Sequence, residues 1–118
     1  MLSYQHGFHA GNRADVLKHA ILHAVYRHLT LRKDRILYVE THSGRGRYDL
    51  NGPQARKGNE AGDGVLSMLS GKGPRPLRPW VEFVEESGIS DYPGSPAHAQ
   101  MLLPSDTRYI LFEKHPAE

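Results

Sequence analysis

An α/β fold built on a parallel sheet is predicted by three features of these 118 residues. The apolar run Ile36-Leu37-Tyr38-Val39 ends in Glu40 and opens at once into the loop Thr41-His42-Ser43-Gly44-Arg45-Gly46-Arg47-Tyr48-Asp49. A second run, Arg108-Tyr109-Ile110-Leu111-Phe112, also ends in an acid, Glu113. Stretches with helical spacing lie before and between them. Strands that each end in an acid or a polar loop, with helices between, imply a βαβ unit. Ligands of such sheets bind outside the carboxyl ends of the strands. The Thr41–Gly46 loop and Glu113 should therefore share one crevice.

The elements follow in order. Residues 1–12 read as an irregular polar tail. Asn12 or Ala14 opens a helix to about Leu29, with Val16, Leu17, Ala20, Ile21, Ala24, Val25 and Leu29 forming one buried stripe. Arg32, Lys33, Asp34 and Arg35 make a charged link to the first strand. Residues 51–60 read as a polar loop. Short helices are expected at Gly64–Leu69 and at Trp80–Glu86, separated by the breaker Gly71-Lys72-Gly73-Pro74-Arg75-Pro76. In Tyr92-Pro93-Gly94-Ser95-Pro96 the expected N-cap is Ser95, with Pro96 at the first helical position, leading into a helix over Ala97–Leu103. No internal repeat or low-complexity tract occurs.

The glycine loop carries the first chemical signal. Glycines let backbone approach a ligand that a Cβ would push away. After Gly44 and Gly46, the third glycine place of a dinucleotide fingerprint holds Asp49, and no Gly-Lys-Ser/Thr cradles a triphosphate. What remains suits an adenosyl group with no phosphate to neutralise, which points to S-adenosylmethionine. Glu113 at the end of the second strand could accept hydrogen bonds from two ribose hydroxyls. Its other reading is an acid favouring the dipole of a following helix.

Composition narrows the rest. One small domain with a modest core is what this length allows. Cysteine is absent, which removes disulfides and thiolate metal sites. No apolar run approaches the roughly 20 residues that span a bilayer. The first residues lack the parts of a signal peptide. The expectation is a cytoplasmic monomer with no membrane and no metal. His19 and His23 share a helix face, but no third ligand stands at a diagnostic spacing. The net charge of +2 is unevenly placed, +6 over residues 1–57 against −4 over residues 58–118. Six of the eight histidines also lie in the basic half. Such a front suits a polyanion such as nucleic acid, although simple solvated asymmetry is the plainer reading.

Four separated motifs carry a family resemblance. The segment from Met1-Leu2-Ser3-Tyr4-Gln5-His6 to Asp15-Val16-Leu17-Lys18-His19 closely resembles the bacterial 23S ribosomal-RNA adenine-N6 methyltransferases of the RlmJ type. So do Thr41–Tyr48, Tyr92–Pro96 and Glu113-Lys114-His115-Pro116. Older descriptions of that family speak of use of external DNA. The resemblance implies the N-terminal part of a Rossmann-like class I S-adenosylmethionine-dependent methyltransferase fold with a small helical insertion. Residues 1–50 would be the tail, first helix and first strand with its cofactor loop. Residues 51–91 would be the insertion, and residues 92–118 the return to the core.

The resemblance further implies that His19, His42, Ser95 and Glu113 contact S-adenosylmethionine, beside Gly44 and Gly46 of the loop. Tyr4 would meet the RNA substrate, with His6 and Lys18 as neighbours at that entrance. Enzymes of this class hold the target amine with an Asp-Pro-Pro-aromatic motif, which this sequence does not contain. Family members are much longer, and two strands cannot close a doubly wound sheet. A chain cut short at Glu118 is therefore expected, carrying the cofactor-binding half of an rRNA methyltransferase and inactive alone. The alternative is a non-catalytic nucleic-acid-binding protein linked to use of external DNA. A different adenosyl-cofactor enzyme on the same half-fold stays open as well.

Overall fold

The computed structural model describes residues 4–32 and 34–118. Met1–Ser3 of the first family motif and Lys33 of the charged link lie outside the described residues. Helix α1, Arg13–Thr30, begins where the Asn12 side chain accepts the Asp15 backbone N–H at 2.9 Å. Such a cap is worth about 1 kcal/mol. Strand β1, Leu37–Glu40, pairs in parallel with β4, Arg108–Leu111, so that Tyr38 faces Tyr109 and Val39 faces Ile110. The parallel direction brings both carboxyl ends to one edge. The loops there are tied together, with Ser43 N–H donating to the Phe112 carbonyl at 3.0 Å.

The sheet has one covered face. Tyr38 and Tyr109 point to the same side of the pleat and pack at 5.7 Å between ring centroids. Tyr38 also meets Tyr26 of α1, in a small core with Ala99 and Leu103. On the other side Leu37, Val39, Ile110 and Phe112 are 45–60% exposed. The α1 stripe is likewise split. Val16 and Ala20 are buried as expected, but Leu17, Ile21 and Val25 are exposed. The buried face is rotated onto Asp15, His19, His23 and Tyr26. On that face the Asp15 carboxylate bonds His6 and the Gly11 N–H, His19 bonds the Tyr92 hydroxyl, Tyr26 bonds Tyr38, and the His23 ring packs on Phe83.

A second ladder, not foreseen from sequence, joins β2, Arg47–Tyr48, to β3, Tyr92–Pro93, in antiparallel register. It draws the end of the glycine loop over the start of α5, Ser95–Leu102. The cap of α5 is Gly94 rather than Ser95, which becomes the first helical residue with Pro96 behind it. The Gly94 N–H is used elsewhere, donating to the Gly46 carbonyl at 2.7 Å.

Residues 51–91 are short and helical. The expected polar loop at 51–60 instead contains helix α2, Pro53–Gly58. One turn, α3 (Val65–Ser67), runs into a π turn ending at Lys72. The Gly71–Pro76 breaker stands as read, and α4, Arg78–Ser87, follows it. Trp80 and Val84 of α4 join Val65, Ala61, Leu50 and Tyr92 in one core with Val16 and Ala20 of α1. This packing depends on close backbone approach. A Cβ on Gly58 would lie 1.7 Å from the Phe8 carbonyl oxygen, whereas one on Gly62 would meet nothing within 4 Å. Gly58→Ala should therefore destabilise by about 2–3 kcal/mol, and Gly62→Ala by no more than about 0.5. Urea denaturation of the two variants checks this, and equal midpoints would contradict the packing described.

Candidate functional site

A cleft of about 840 Å³ opens at the carboxyl ends of β1 and β4. Its floor is α1 and the start of α5, its rim the glycine loop, the residues after β4 and the N-terminal tail. His19, His42, Gly44, Ser95 and Glu113 line it, as do Tyr4, His6 and Lys18. Of the nine residues that the resemblance assigns to the site, Gly46 alone is not in the lining. Its carbonyl instead holds the cap of α5 through Gly94.

The rim is shaped by Gly44 and Glu113. Gly44 sits at φ +66, and a Cβ there would fall 2.3 Å from the Tyr48 hydroxyl, so only glycine fits this turn. Its N–H donates to Glu113 Oε2 at 2.9 Å, and the His115 N–H donates to Oε1 at 2.7 Å. These two bonds, that from His115 first, hold the exposed Glu113 carboxyl below its ordinary range. A carboxylate oxygen accepts more than one hydrogen bond, so the group keeps capacity for a ligand. Arg45 and Arg47 of the loop are both paired. Arg45 binds Gln54 at 2.7 Å and Glu118 at 3.2 Å, and Arg47 binds Asp91 at 2.9 Å.

The tail side is a chain of polar contacts. The Tyr4 hydroxyl bonds His6 Nδ1 at 2.7 Å, and His6 Nε2–H donates to Asp15 Oδ2 at 2.8 Å. The same oxygen accepts the Gly11 N–H at 2.9 Å. Burial alone would raise the Asp15 pKa, but the hydrogen bonds from His6 and the Gly11 N–H outweigh it and lower the value. The Tyr4 ring lies flat on His9 at 5.1 Å, leaving Tyr4 itself largely exposed. His9 is in turn held by Glu60 at 2.9 Å.

The floor holds a histidine pair that sequence reading left partly unassigned. His19 and His98 stack at 4.6 Å, and both are almost wholly buried. His98 Nδ1–H donates to the Gly94 carbonyl at 2.9 Å, and Nε2 accepts from the Trp80 indole at 3.1 Å. His19 Nδ1 bonds the Tyr92 hydroxyl at 2.5 Å, while its buried Nε2 has no partner. Burial lowers the pKa of His19 to about 3 and that of His98 to about 4, so both rings are neutral. Nothing in the sequence marked His98, Trp80 or Tyr92 as a unit, since their separations follow no motif. Among the described residues no cluster of three or more His, Cys, Asp or Glu could hold a metal ion, and no helix is long and apolar enough to cross a membrane.

Residues 33–118 match the family described as ribosomal RNA large subunit methyltransferase D, RlmJ, and the chain belongs to that family. Two curated relatives are both named ribosomal RNA large subunit methyltransferase J, from Haemophilus influenzae and Escherichia coli. Each is 37% identical across the whole of this chain, which spans 44% of their length. The crystal structure of protein LPL1258 from Legionella pneumophila matches with a TM-score of 0.75 at 36% identity. That match covers 93% of this chain and 42% of the other. The mixed α/β arrangement described above is thus shared with that solved structure.

Neutral buried histidines make stability pH-dependent in one direction. Their folded pKa values, about 3 and about 4, lie below the unfolded value of 6.5. The unfolded chain therefore binds protons first, and stability present above pH 6.5 is lost as pH falls toward those values. The slope should approach about 1.4 kcal/mol per pH unit for each uncompensated proton. Thermal midpoints measured from pH 7 down to about 5.5 should fall steadily, above the range in which ordinary carboxylates titrate. A flat profile over that window would contradict the neutral assignment.

Proposed function

We propose that this chain, as a member of that family, is the cofactor-binding half of an S-adenosylmethionine-dependent enzyme that methylates an adenine N6 of 23S ribosomal RNA. The observation that carries the proposal is the cleft itself. It is lined by His19, His42, Gly44, Ser95 and Glu113 together with Tyr4, His6 and Lys18. In this reading residues 1–50 and 92–118 form the N-terminal part of a Rossmann-like class I methyltransferase core, and residues 51–91 are an insertion. The open face carrying Leu37, Val39, Ile110 and Phe112 would be the surface on which further core elements of the whole protein pack.

The residues present fit the cofactor. The cleft volume lies in the range of small-molecule sites, roughly 300–1,000 Å³. Glu113 is a fixed acceptor suited to vicinal ribose hydroxyls, and the Gly44 turn lets backbone come close to the adenosyl group. The unpartnered Nε2 of buried His19 is the kind of orphan a ligand satisfies. When bound, S-adenosylmethionine supplies an activated methyl group. The chain's own part is to bind it, orient it and admit the base. Tyr4, exposed and backed by His9, offers a stacking platform for an unstacked base, worth about 1–3 kcal/mol. His6 and Asp15 hold the Tyr4 hydroxyl in place at the entrance.

The amine-holding Asp-Pro-Pro-aromatic motif does not occur in these 118 residues, so the proposal assigns in-line positioning of the amine to another part of the whole protein. Two tests follow. Calorimetric titration with S-adenosylhomocysteine should show binding, and Glu113→Ala should weaken it about tenfold or more. No binding, or an unchanged Glu113→Ala variant, would contradict the cofactor assignment. With a tritiated methyl donor and 23S RNA, the chain alone should incorporate no label above a no-protein control, and incorporation would overturn the division of labour.

A further inference from the structure

We infer that Tyr92 is a positioning residue that fixes His19 as its Nε2–H tautomer, so that the ring presents a neutral hydrogen-bond donor to an acceptor atom of the bound cofactor. The inference rests on the proposal that the cleft takes S-adenosylmethionine. The tautomer itself is independent of that proposal.

Counting protons decides between the tautomers. Tyr92 is fully buried, and the one hydrogen bond its hydroxyl makes among the described residues is to His19 Nδ1. Two neutral arrangements are open. If Tyr92 O–H donates to Nδ1, the imidazole proton sits on Nε2, and that N–H is the one group left unsatisfied. If instead Nδ1–H donates to the phenol oxygen, the phenol proton has no acceptor and the Nε2 lone pair has no donor. Two buried groups are then unsatisfied in place of one, and each carries its full desolvation penalty. The first arrangement wins.

The surroundings offer no escape from it. His98, stacked on His19, has both ring nitrogens committed, one to the Gly94 carbonyl and one to the Trp80 indole. It can neither accept from nor donate to His19. Burial holds the Tyr92 phenol well above its ordinary pKa and His19 at about 3, which excludes a phenolate–imidazolium pair at neutral pH. His19 is among the residues lining the cleft and its buried Nε2–H has no partner, so in this proposal a ligand acceptor completes it. Being neutral, it selects for hydrogen-bond geometry rather than for negative charge. Trp80 lies in the 51–91 segment, so that segment braces the cofactor floor through His98.

The test uses the whole chain labelled with ¹⁵N-histidine. Long-range ¹H–¹⁵N correlation without ligand at pH 7 should show His19 with a protonated Nε2 and an unprotonated Nδ1. Tyr92→Phe keeps the ring and removes the donor. It should convert His19 to a mixed or Nδ1–H pattern and weaken S-adenosylhomocysteine binding about tenfold, with the amide spectrum otherwise preserved. A wild-type Nδ1–H pattern would overturn the inference, as would a Tyr92→Phe variant unchanged in both tautomer and affinity. If Tyr92→Phe fails to fold, the wild-type pattern alone decides. Absence of S-adenosylhomocysteine binding by wild type would remove the cofactor reading while leaving the tautomer to stand or fall on its spectrum.

Discussion

Two neutral imidazoles stacked in the core, His19 on His98, join more of this molecule than any single apolar contact. The pair bridges α1 and α5, and its ring nitrogens reach out to the cap of α5, to α4 through Trp80 and to β3 through Tyr92. Because imidazole is costly to bury without partners, those contacts dictate which face of α1 turns inward. The helix therefore presents His19, His23 and Tyr26 to the interior and leaves Leu17, Ile21 and Val25 outside. Once α1 is set this way, the cleft floor is set too. It is built from the same rings.

The rim follows from a different constraint, the parallel pairing of β1 with β4. Parallel strands place both loop exits at one edge, and the carboxylate after β4 then meets the backbone of the loop after β1. Glu113 clamps the Gly44 turn with one oxygen and the following backbone with the other, and it lines the cleft. The tail is pinned independently, through His6 on the buried Asp15. Fold and site share their hydrogen bonds, so loss of one should be felt in the other.

Much of this was legible in the sequence, and the rest was not for physical reasons. The glycine loop, both strands and the helix from Asn12 were readable because each has strong local chemistry: a cap, a β-branched run or a forced positive φ. The two-residue strands β2 and β3 carry no periodicity to read, and they exist only because tertiary packing brings Tyr48 to Tyr92. Gly94 is the cap in place of Ser95 because its carbonyl accepts the His98 N–H, with Gly94 itself held by the Gly46 carbonyl beside that ladder. The apolar stripe of α1 misled because hydrophobic spacing cannot show that buried histidines will find partners. Nothing local to His98 marks it, because its place against His19 and Trp80 is set by long-range packing.

The central claim is that the cleft at the carboxyl edge of β1 and β4 is an adenosyl-cofactor site. Backbone ¹H–¹⁵N spectra recorded with increasing S-adenosylhomocysteine test it most directly, because they locate binding residue by residue. The account predicts that the amides of His42, Gly44, Ser95 and Glu113 shift together and saturate, while those of Gly71 and Ser87 stay still. Shifts confined to the exposed sheet face at Val39 and Ile110, or no saturable shift at all, would contradict it.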